Sequence, residues 1–260
     1  MATKTPLSKK VLVFKHMSSQ NPGIFRSFAE AQDIEFVEID LHAGDSIPDI
    51  RHFDGLWVMG GSMNTWEEDN YPWLVEEKQT IRRAIDNLGM PFLGICLGHQ
   101  LLAEVMGGEV QCTDHHEIGL FEIEPTVEGL NHPLLHELPN PSKWVNVHLV
   151  EVTRPPPQAI ILATSKTCRN QIMQIRENAY SCQFHPEVCE NTVKEWLKIP
   201  GIPQKLENLL GIDGLEYFKS SIAEQLLLHN SAALVLFENW CELVFHTKPY
   251  NKENHIENTP

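Results

Sequence analysis

The 260-residue sequence has no long hydrophobic run and little positive charge. No stretch approaches the roughly 18 uncharged apolar residues that a membrane span needs, so we expect no membrane partner. Twenty lysine and arginine residues stand against 35 acidic ones, giving a net charge of -15. Nucleic-acid binding requires clustered basic residues, so we expect no nucleic-acid partner. The N-terminus leads into VLVFKH without an apolar leader segment, which disfavours secretion.

Cysteine is also scarce, with six residues at irregular spacing and no CxxC pair. In a chain of this length, that pattern is typical of reduced thiols rather than of a disulfide framework, so we expect a cytoplasmic location. The hydrophobic fraction of 42% is sufficient to bury the core of one large α/β domain. We expect no cofactor and no metal ion.

The stretch PFLGICLGHQ, residues 91–100, joins a buried strand to a helix. The apolar run ends at Ile95 and helical spacing begins at Leu97, so Cys96 lies on the turn between them. A glycine stands two positions to either side of the cysteine. This GxCxG pattern is the thiol form of a nucleophile elbow, which projects its side chain above the edge of a sheet. A small buried core cysteine is the alternative interpretation.

A second motif, YSCQFHPEV, occurs much later in the chain. Residues 180–184 are typical of a short strand that ends at His185. On an extended chain His185 and Glu187 point to the same side. A histidine can take a proton from a thiol and return it to a leaving group, and a carboxylate orients the imidazole. We therefore predict a catalytic triad of Cys96, His185 and Glu187, although two solvated polar residues at a strand end would explain the second motif alone.

Together, GICLGHQ and QFHPE, after an upstream strand ending in VMGGSMN, resemble the class I (triad-type) glutamine amidotransferases. The stand-alone members similar to the glutaminase domain of GMP synthetase are the best match, and the resemblance runs from about Val11 to Trp196. It implies a flavodoxin-like α/β fold, attack on the γ-amide of glutamine, and a γ-glutamyl thioester on the cysteine. The substrate is then a small γ-glutamyl compound, and a separate ammonia-accepting synthetase is a further expected partner.

The resemblance also assigns roles by motif match. It makes Cys96 the nucleophile, His185 the general acid and base, and Glu187 the orienting carboxylate. The implied oxyanion-hole residues are Gly61 and Leu97, and the implied substrate-binding residues are Gly60, Gln100 and His148. A glycine pair after a buried strand also has a physical rationale of its own, because backbone amides there can face a ligand with no side chain in the way.

One segment departs from the family pattern. Relatives usually carry histidine, glycine and aspartate in succession after the central strand, whereas WVNVHLVEV keeps His148 but continues with Leu149 and Val150. Glu151 can replace the missing carboxylate only if the strand register shifts by one residue. The departure leaves open whether the substrate is free glutamine or a larger γ-glutamyl amide, as in the plant γ-glutamyl peptidases.

Alternating patterns predict a doubly wound, mostly parallel sheet in residues 1–200, with the ligand crevice beyond the carboxyl ends of its strands. The predicted strands are 11–14, 35–39, 56–59, 90–95 and 180–184, and the predicted helices are 21–31, 73–88 and 97–106. Pro-rich turns predict short antiparallel strands over 109–175. Residues 201–260 are expected to form a helical extension that packs on the same domain or forms a subunit contact, which makes a homodimer a further expectation.

Other polar and aromatic candidates have structural interpretations. Asp114, His115, His116 and Glu117 include metal-ligand types, but consecutive residues point in different directions, so we expect a loop that rims the active site. His99 should be packed or hydrogen-bonded rather than catalytic. The other cysteines are expected to be core or surface thiols. Trp66 and Trp73 flank the GGSMN loop, and either a pocket wall or ordinary packing explains them.

Three hypotheses for function follow. The favoured one is an enzyme that attacks a γ-glutamyl amide through Cys96. The second is a glutaminase subunit that stays silent until a synthetase binds. The third is a non-catalytic binding or stress protein on the same fold, which would have no need of His185 and Glu187.

Overall fold

The computed structural model describes residues 9–199 and 201–245, which form one nine-stranded sheet flanked by helices. The strands are β1 (Lys9–Lys15), β2 (Ile34–Asp40), β3 (Gly55–Val58), β4 (Phe92–Ile95), β5 (Glu109–Pro125), β6 (Ser142–Arg154), β7 (Ala159–Thr164), β8 (Ile172–Ile175) and β9 (Ala179–Cys182). The α-helices of the described residues are α1 (Phe25–Ala31), α2 (Trp73–Arg82), α3 (Leu97–Val105), α4 (Glu190–Trp196), α5 (Ile202–Leu210) and α6 (Ile212–Phe245).

The strand order is β2-β1-β3-β4-β9-β8-β7-β5-β6. The first five strands of this order run parallel to one another. The other four continue the sheet as antiparallel neighbours. The parallel part has the order of a flavodoxin-like fold, in which ligands bind beyond the carboxyl ends of the strands. The predicted mostly parallel sheet with appended antiparallel strands is therefore confirmed.

Helices cover both faces of the parallel strands. Val11 and Val13 of β1 contribute to a core with α1 and α6. Leu12 and Phe14, which point to the other face, contribute to a second core with α2 and α3. This alternation is the two-residue period of a strand, and burial on both faces explains why β1 reads as a continuous apolar run.

The long helix α6 belongs to the first of these cores. The indole of Trp57 on β3 is fully buried, and its ring centroid lies 5.3 Å from that of Trp240 and 6.0 Å from that of Phe237. Helix α6 therefore packs against the sheet. The predicted division into a domain over 1–200 and a helical extension over 201–260 stays a prediction, and residues 246–260 of that extension lie outside the described residues. Among the described residues no helix has the length and apolar character needed to cross a membrane.

Three predicted elements differ in detail from the observed ones. The predicted helix over 73–88 continues after α2 as a π-helical turn, Arg83–Asn87. The predicted helix over 21–31 begins only at Phe25, after a turn in which the Phe25 amide donates to the Pro22 carbonyl. The short strands expected over 109–175 include a long ribbon, with 17 residues in β5 and 13 in β6. A bulge in β5 interrupts its pairing with β6, and the pairing then resumes. One long strand therefore stands where shorter strands were expected.

Candidate active site

Cys96 lies on a tight turn between β4 and α3. Its backbone has φ +52° and ψ -101°, a region that non-glycine residues rarely adopt and that costs on the order of 1–3 kcal/mol. The flanking glycines allow the turn. A Cβ at Gly94 would lie 2.5 Å from the Gly98 carbonyl oxygen, and one at Gly98 would lie 2.0 Å from the Val58 carbonyl oxygen. The start of α3 thus lies directly against the sheet, as the nucleophile-elbow pattern predicts.

His185 and Glu187 form a buried pair just beyond β9. The imidazole Nδ1 donates to Glu187 Oε1 at 2.7 Å, and both side chains are almost completely buried. The Cys96 side chain lies close enough to the imidazole to interact with it electrostatically. Burial alone would lower the pKa of His185, but the charges of Glu187 and of the Cys96 sulfur outweigh it and raise that pKa to about 10. At neutral pH the ring is therefore an imidazolium next to the sulfur.

Gly61 and Leu97 come together beside Cys96. Gly61 lines the same cavity as the cysteine, whereas Leu97 does not. A Cβ at Gly61 would lie 2.6 Å from Cδ2 of Leu97 and 2.5 Å from Sδ of Met63, so a larger residue there would require these side chains to move. The Leu97 amide belongs to the first turn of α3, where backbone N–H groups have no intrahelical acceptor. Their use as an oxyanion hole stays a prediction.

A second buried histidine supports the Gly60–Gly61 loop. His16 Nδ1 donates to the Gly60 carbonyl at 2.9 Å, and His16 Nε2 lies 2.8 Å from Glu77 Oε1. Burial would lower the pKa of His16, but Glu77 raises it above its usual value. Gly60 itself does not line the cavity, and a Cβ there would lie 3.1 Å from Cε1 of His185. Its predicted contact with substrate stays a prediction.

A cavity of about 180 Å³ opens at the carboxyl ends of the parallel strands. Residues that follow β1, β3, β4 and β9 all contribute to it, as the fold predicts. Its polar lining residues are Gln20, Ser62, Asn64, Gln100, His148 and His185, together with the Cys96 thiol and Lys205. Of the described residues, no aspartate or glutamate lines this cavity.

Gln100 lines the cavity but uses its amide N–H groups within the protein. Its Nε2 donates to the Val150 carbonyl at 2.9 Å and to Gln183 Oε1 at 3.3 Å. Only its carbonyl oxygen is left for a substrate N–H group. The amide of Gln183 in turn donates to the Cys96 sulfur at 3.8 Å, a contact that sequence reasoning missed although Gln183 lies inside the second motif.

His148 lines the cavity and is oriented by Glu117 from the neighbouring strand. Its Nε2 lies 3.1 Å from Glu117 Oε2, and its Nδ1 has no hydrogen-bond partner. Gln171 Nε2 donates to the same carboxylate at 2.6 Å, and the hydroxyls of Ser165 and Thr167 donate to its other oxygen. Burial would raise the pKa of Glu117, but the hydrogen bonds from His148, Ser165 and Thr167 lower it below its usual value. The carboxylate only accepts, so His148 Nε2 carries a proton.

Leu149 and Val150 also line the cavity, whereas Glu151 does not. Glu151 pairs with Gln111 across the ribbon, and burial raises the pKa of its carboxyl. Because Glu151 does not line the cavity, it does not take the place of the aspartate of the expected family pattern. The carboxylate near His148 comes instead from Glu117, which no local sequence signal predicted.

A sequence model of the class-I glutamine amidotransferase family matches residues 13–198. The chain belongs to this family. Cysteine-dependent amide hydrolysis is accordingly supported at the level of the family, and the family predicted from the two motifs is confirmed.

Individual relatives support the assignment of the chain to this family. A glutamine amidotransferase-like protein of Salmonella typhimurium, YfeJ, is 32% identical over 186 residues, 69% of this chain and 76% of that protein. One subunit of the glutamine-hydrolysing GMP synthase of Sulfolobus acidocaldarius is 34% identical over 161 residues, 60% of this chain and 81% of that protein. The crystal structure of a glutamine amidotransferase from Thermotoga maritima matches with a TM-score of 0.80 and 26% identity, covering 90% of this chain and 99% of that one.

The polar cluster over 114–117 is not the loop that the sequence predicted. The cluster lies within β5, at the bulge between Cys112 and Glu117. Asp114, His115 and His116 are exposed and do not line the cavity, whereas Glu117 turns inward to His148. Within residues 9–199 and 201–245, no group of three or more His, Cys, Asp or Glu side chains is arranged to hold a metal ion.

The remaining candidates from the sequence are His99, two tryptophans and the other cysteines, and they have structural roles. His99 is fully buried, its Nδ1 lies 2.9 Å from Ser181 Oγ, and burial followed by the charge of His148 lowers its pKa to about 3. Trp66 is half exposed and Trp73 stacks on His16, and neither lines the cavity. The other cysteines are unpaired: Cys168, Cys182 and Cys241 are buried, Cys189 is half-buried and Cys112 is exposed.

Proposed function

We propose that this protein hydrolyses a γ-glutamyl amide through a covalent thioester on Cys96, with glutamine as the simplest substrate. The observation that carries the proposal is the geometry around the sulfur. Cys96 lies on a strained turn at the floor of a cavity, next to His185, whose Nδ1 is held by Glu187 at 2.7 Å. A nucleophile, a base and an orienting carboxylate in this arrangement are suited to acyl transfer.

In the first step the Cys96 thiolate attacks the γ-carbonyl carbon. Negative charge develops on the carbonyl oxygen, and the amides of Leu97 and Gly61 stabilise it. Removing one such donor typically costs about 10²–10³ in kcat. The C–N bond then breaks, the departing nitrogen takes the proton held by His185, and ammonia or an amine leaves. A γ-glutamyl thioester remains on the sulfur.

In the second step water completes the reaction. His185, now neutral, removes a proton from a water molecule that attacks the thioester carbonyl. The C–S bond breaks, glutamate is released, and the thiolate–imidazolium pair is restored. Glu187 keeps the Nδ1 proton of His185 in place throughout, so that Nε2 always faces the reacting atoms.

The test is glutamate release by the purified chain alone. Glutamine and γ-glutamyl peptides are supplied separately, and glutamate is measured for wild type, Cys96→Ala and the matched control Cys112→Ala, which removes an exposed thiol outside the cavity. We expect activity in wild type and in the control, and none in Cys96→Ala. Equal activity in Cys96→Ala would contradict the proposal.

A glutaminase subunit is the second candidate, because one relative is named as a subunit of a glutamine-hydrolysing GMP synthase. In that case the ammonia passes to a separate synthetase and the isolated chain is nearly inactive. Co-purification of a synthetase, together with stimulated release of ammonia from glutamine, would favour this candidate. Full activity of the chain alone would exclude the requirement for a partner.

A non-catalytic binding or stress protein is the third candidate. Such a protein gains nothing from burying His185 against Glu187 next to a strained cysteine, which argues against it. The homodimer and the cytoplasmic location stay predictions. Sedimentation would test the first, and fractionation of the source cells would test the second.

A further inference from the structure

Part of the cavity wall comes from residues that follow the segment matched by the family model. That match ends at residue 198, but the cavity extends along α5 and the start of α6. The residues of this helical wall are Ile199, Ile202, Lys205, Leu206, Leu209 and Phe218. The C-terminal helices therefore line the same cavity that contains Cys96.

The helical wall is apolar and firmly anchored. Leu206 and Phe218 are buried and belong to a core with Trp196, and Ile199 and Ile202 pack against that core. Apolar side chains held in this way form a preorganised surface, which binds apolar groups without a large ordering cost. The wall thus favours a ligand that has an apolar part.

Among its described residues, the helical wall contains one positively charged side chain. Lys205 is exposed, and it is the single lysine or arginine among the cavity-lining residues that the structure describes. Because no described aspartate or glutamate lines the cavity, a carboxylate on a bound ligand would meet Lys205 without competition from the protein.

The two halves of a γ-glutamyl amide need different surroundings. The γ-glutamyl half carries an ammonium and a carboxylate, and polar side chains such as Gln20, Ser62 and Asn64 line the cavity for it. The ammonia that leaves glutamine is small and polar, so an apolar wall contributes nothing to its recognition. A large apolar leaving group, in contrast, gains free energy when it is buried there.

We infer that the preferred substrates are γ-glutamyl peptides whose second residue is large and apolar and has a free carboxylate. The inference rests on the proposed hydrolysis through Cys96. The apolar side chain lies against the helical wall and the carboxylate lies near Lys205. Cleavage breaks the isopeptide C–N bond, the nitrogen takes a proton from His185, and the apolar amino acid leaves with its amine restored. Water then releases glutamate from the sulfur.

The first experiment compares three substrates. Values of kcat/KM are measured for γ-glutamyl-phenylalanine, γ-glutamyl-glycine and glutamine with the full chain. We expect the phenylalanine peptide to exceed both others by about tenfold or more, the discrimination that a hydrophobic pocket provides. Equal values for the phenylalanine and glycine peptides would overturn the inference.

A pair of leucine variants tests the wall itself. Leu209 is 40% exposed, so Leu209→Ala should still fold, and Leu227→Ala is the control because Leu227 is 84% exposed and lies outside the cavity. We expect Leu209→Ala to lower the ratio of kcat/KM for γ-glutamyl-phenylalanine to that for glutamine about tenfold. The ratio should stay at the wild-type value in Leu227→Ala. An unchanged ratio in both variants would overturn the inference.

A pair of lysine variants tests the carboxylate contact. In Lys205→Gln, we expect kcat/KM for γ-glutamyl-phenylalanine to fall several-fold towards that of its C-terminal amide. The control is Lys219→Gln, which removes a partly exposed lysine of α6 that pairs with Glu216 outside the cavity. A loss of the same size in the control, or none in Lys205→Gln, would contradict the assigned contact.

The outcomes separate this inference from the proposed function. If glutamine is hydrolysed and the peptides are not preferred, the inference fails while hydrolysis through Cys96 stands. If no substrate yields glutamate, the proposed function fails and the substrate preference fails with it.

Discussion

Replacing Glu187 with glutamine tests the electrostatics of the proposed triad. The substitution keeps the size of the side chain but removes the negative charge that lies 2.7 Å from His185 Nδ1. Burial, which alone lowers the pKa of His185, then acts with much less opposition. We expect the pKa of the imidazole in Glu187→Gln to fall from about 10 towards its usual value of 6.5.

The pKa of His185 in the His185–Glu187 pair also gives the expected size of the effect on the unfolding free energy. The difference between a pKa of 6.5 and one of about 10 corresponds to about 5 kcal/mol of preference for the imidazolium, as an order of magnitude. For a raised histidine pKa, the contribution to stability is complete below the unfolded pKa of about 6.5 and is lost as pH rises towards 10. The difference in unfolding free energy between wild type and Glu187→Gln should therefore be largest near pH 6 and shrink by pH 9.

Two assays check this prediction. Nitrogen-detected NMR of the histidine rings reports the charge of His185, and urea unfolding at pH 6 and pH 9 reports the free-energy difference. Glutamate release should fall by about 10²–10⁴-fold, the range that general acid–base catalysis contributes. A wild-type His185 that is neutral at pH 7, or a stability difference that grows with pH, would contradict the claim that Glu187 stabilises the charged imidazole.

Further substitutions test the elbow, the support of His148 and the core. In Gly98→Ala the new methyl group would meet the Val58 carbonyl oxygen at 2.0 Å, so we expect a lower melting temperature and loss of activity, measured by calorimetry and glutamate release. Glu117→Gln should raise KM more than it lowers kcat, because it disturbs the orientation of His148 rather than the reacting atoms, and equal effects on both would contradict that role. Trp57→Ala should lower the unfolding free energy by about 3–5 kcal/mol in urea titrations, because it empties a fully buried site, and a change below 1 kcal/mol would contradict the packing.

The turn at Cys96, the His185–Glu187 pair and the parallel sheet were predictable because their signals are local. A strand that turns at once into a helix forces Cys96 into a strained conformation, and only small neighbours such as Gly94 and Gly98 allow it. His185 and Glu187 are two residues apart, so the extended chain alone brings them to one side. The apolar runs of buried parallel strands are equally visible in the sequence.

The support of these residues was not predictable, because it depends on pairing between distant segments. Glu117 reaches His148 only because a bulge in β5 turns it inward while its three polar predecessors stay exposed. His16 meets Glu77 because α2 packs beside the end of β1, and nothing near either residue indicates the contact. Helical spacing predicted the C-terminal helices. It did not predict that α5 lines the cavity, because tertiary packing decides which face of a helix is turned towards a cavity.

The most direct test of the account is covalent labelling with 6-diazo-5-oxo-norleucine, a diazoketone analogue of glutamine, followed by mass spectrometry of peptides from the folded protein. If the Cys96 sulfur accepts the acyl group, we expect one adduct per chain, located on Cys96 and absent in Cys96→Ala. Labelling of another cysteine, or no labelling of the folded wild type, would contradict the claim that this sulfur accepts the acyl group.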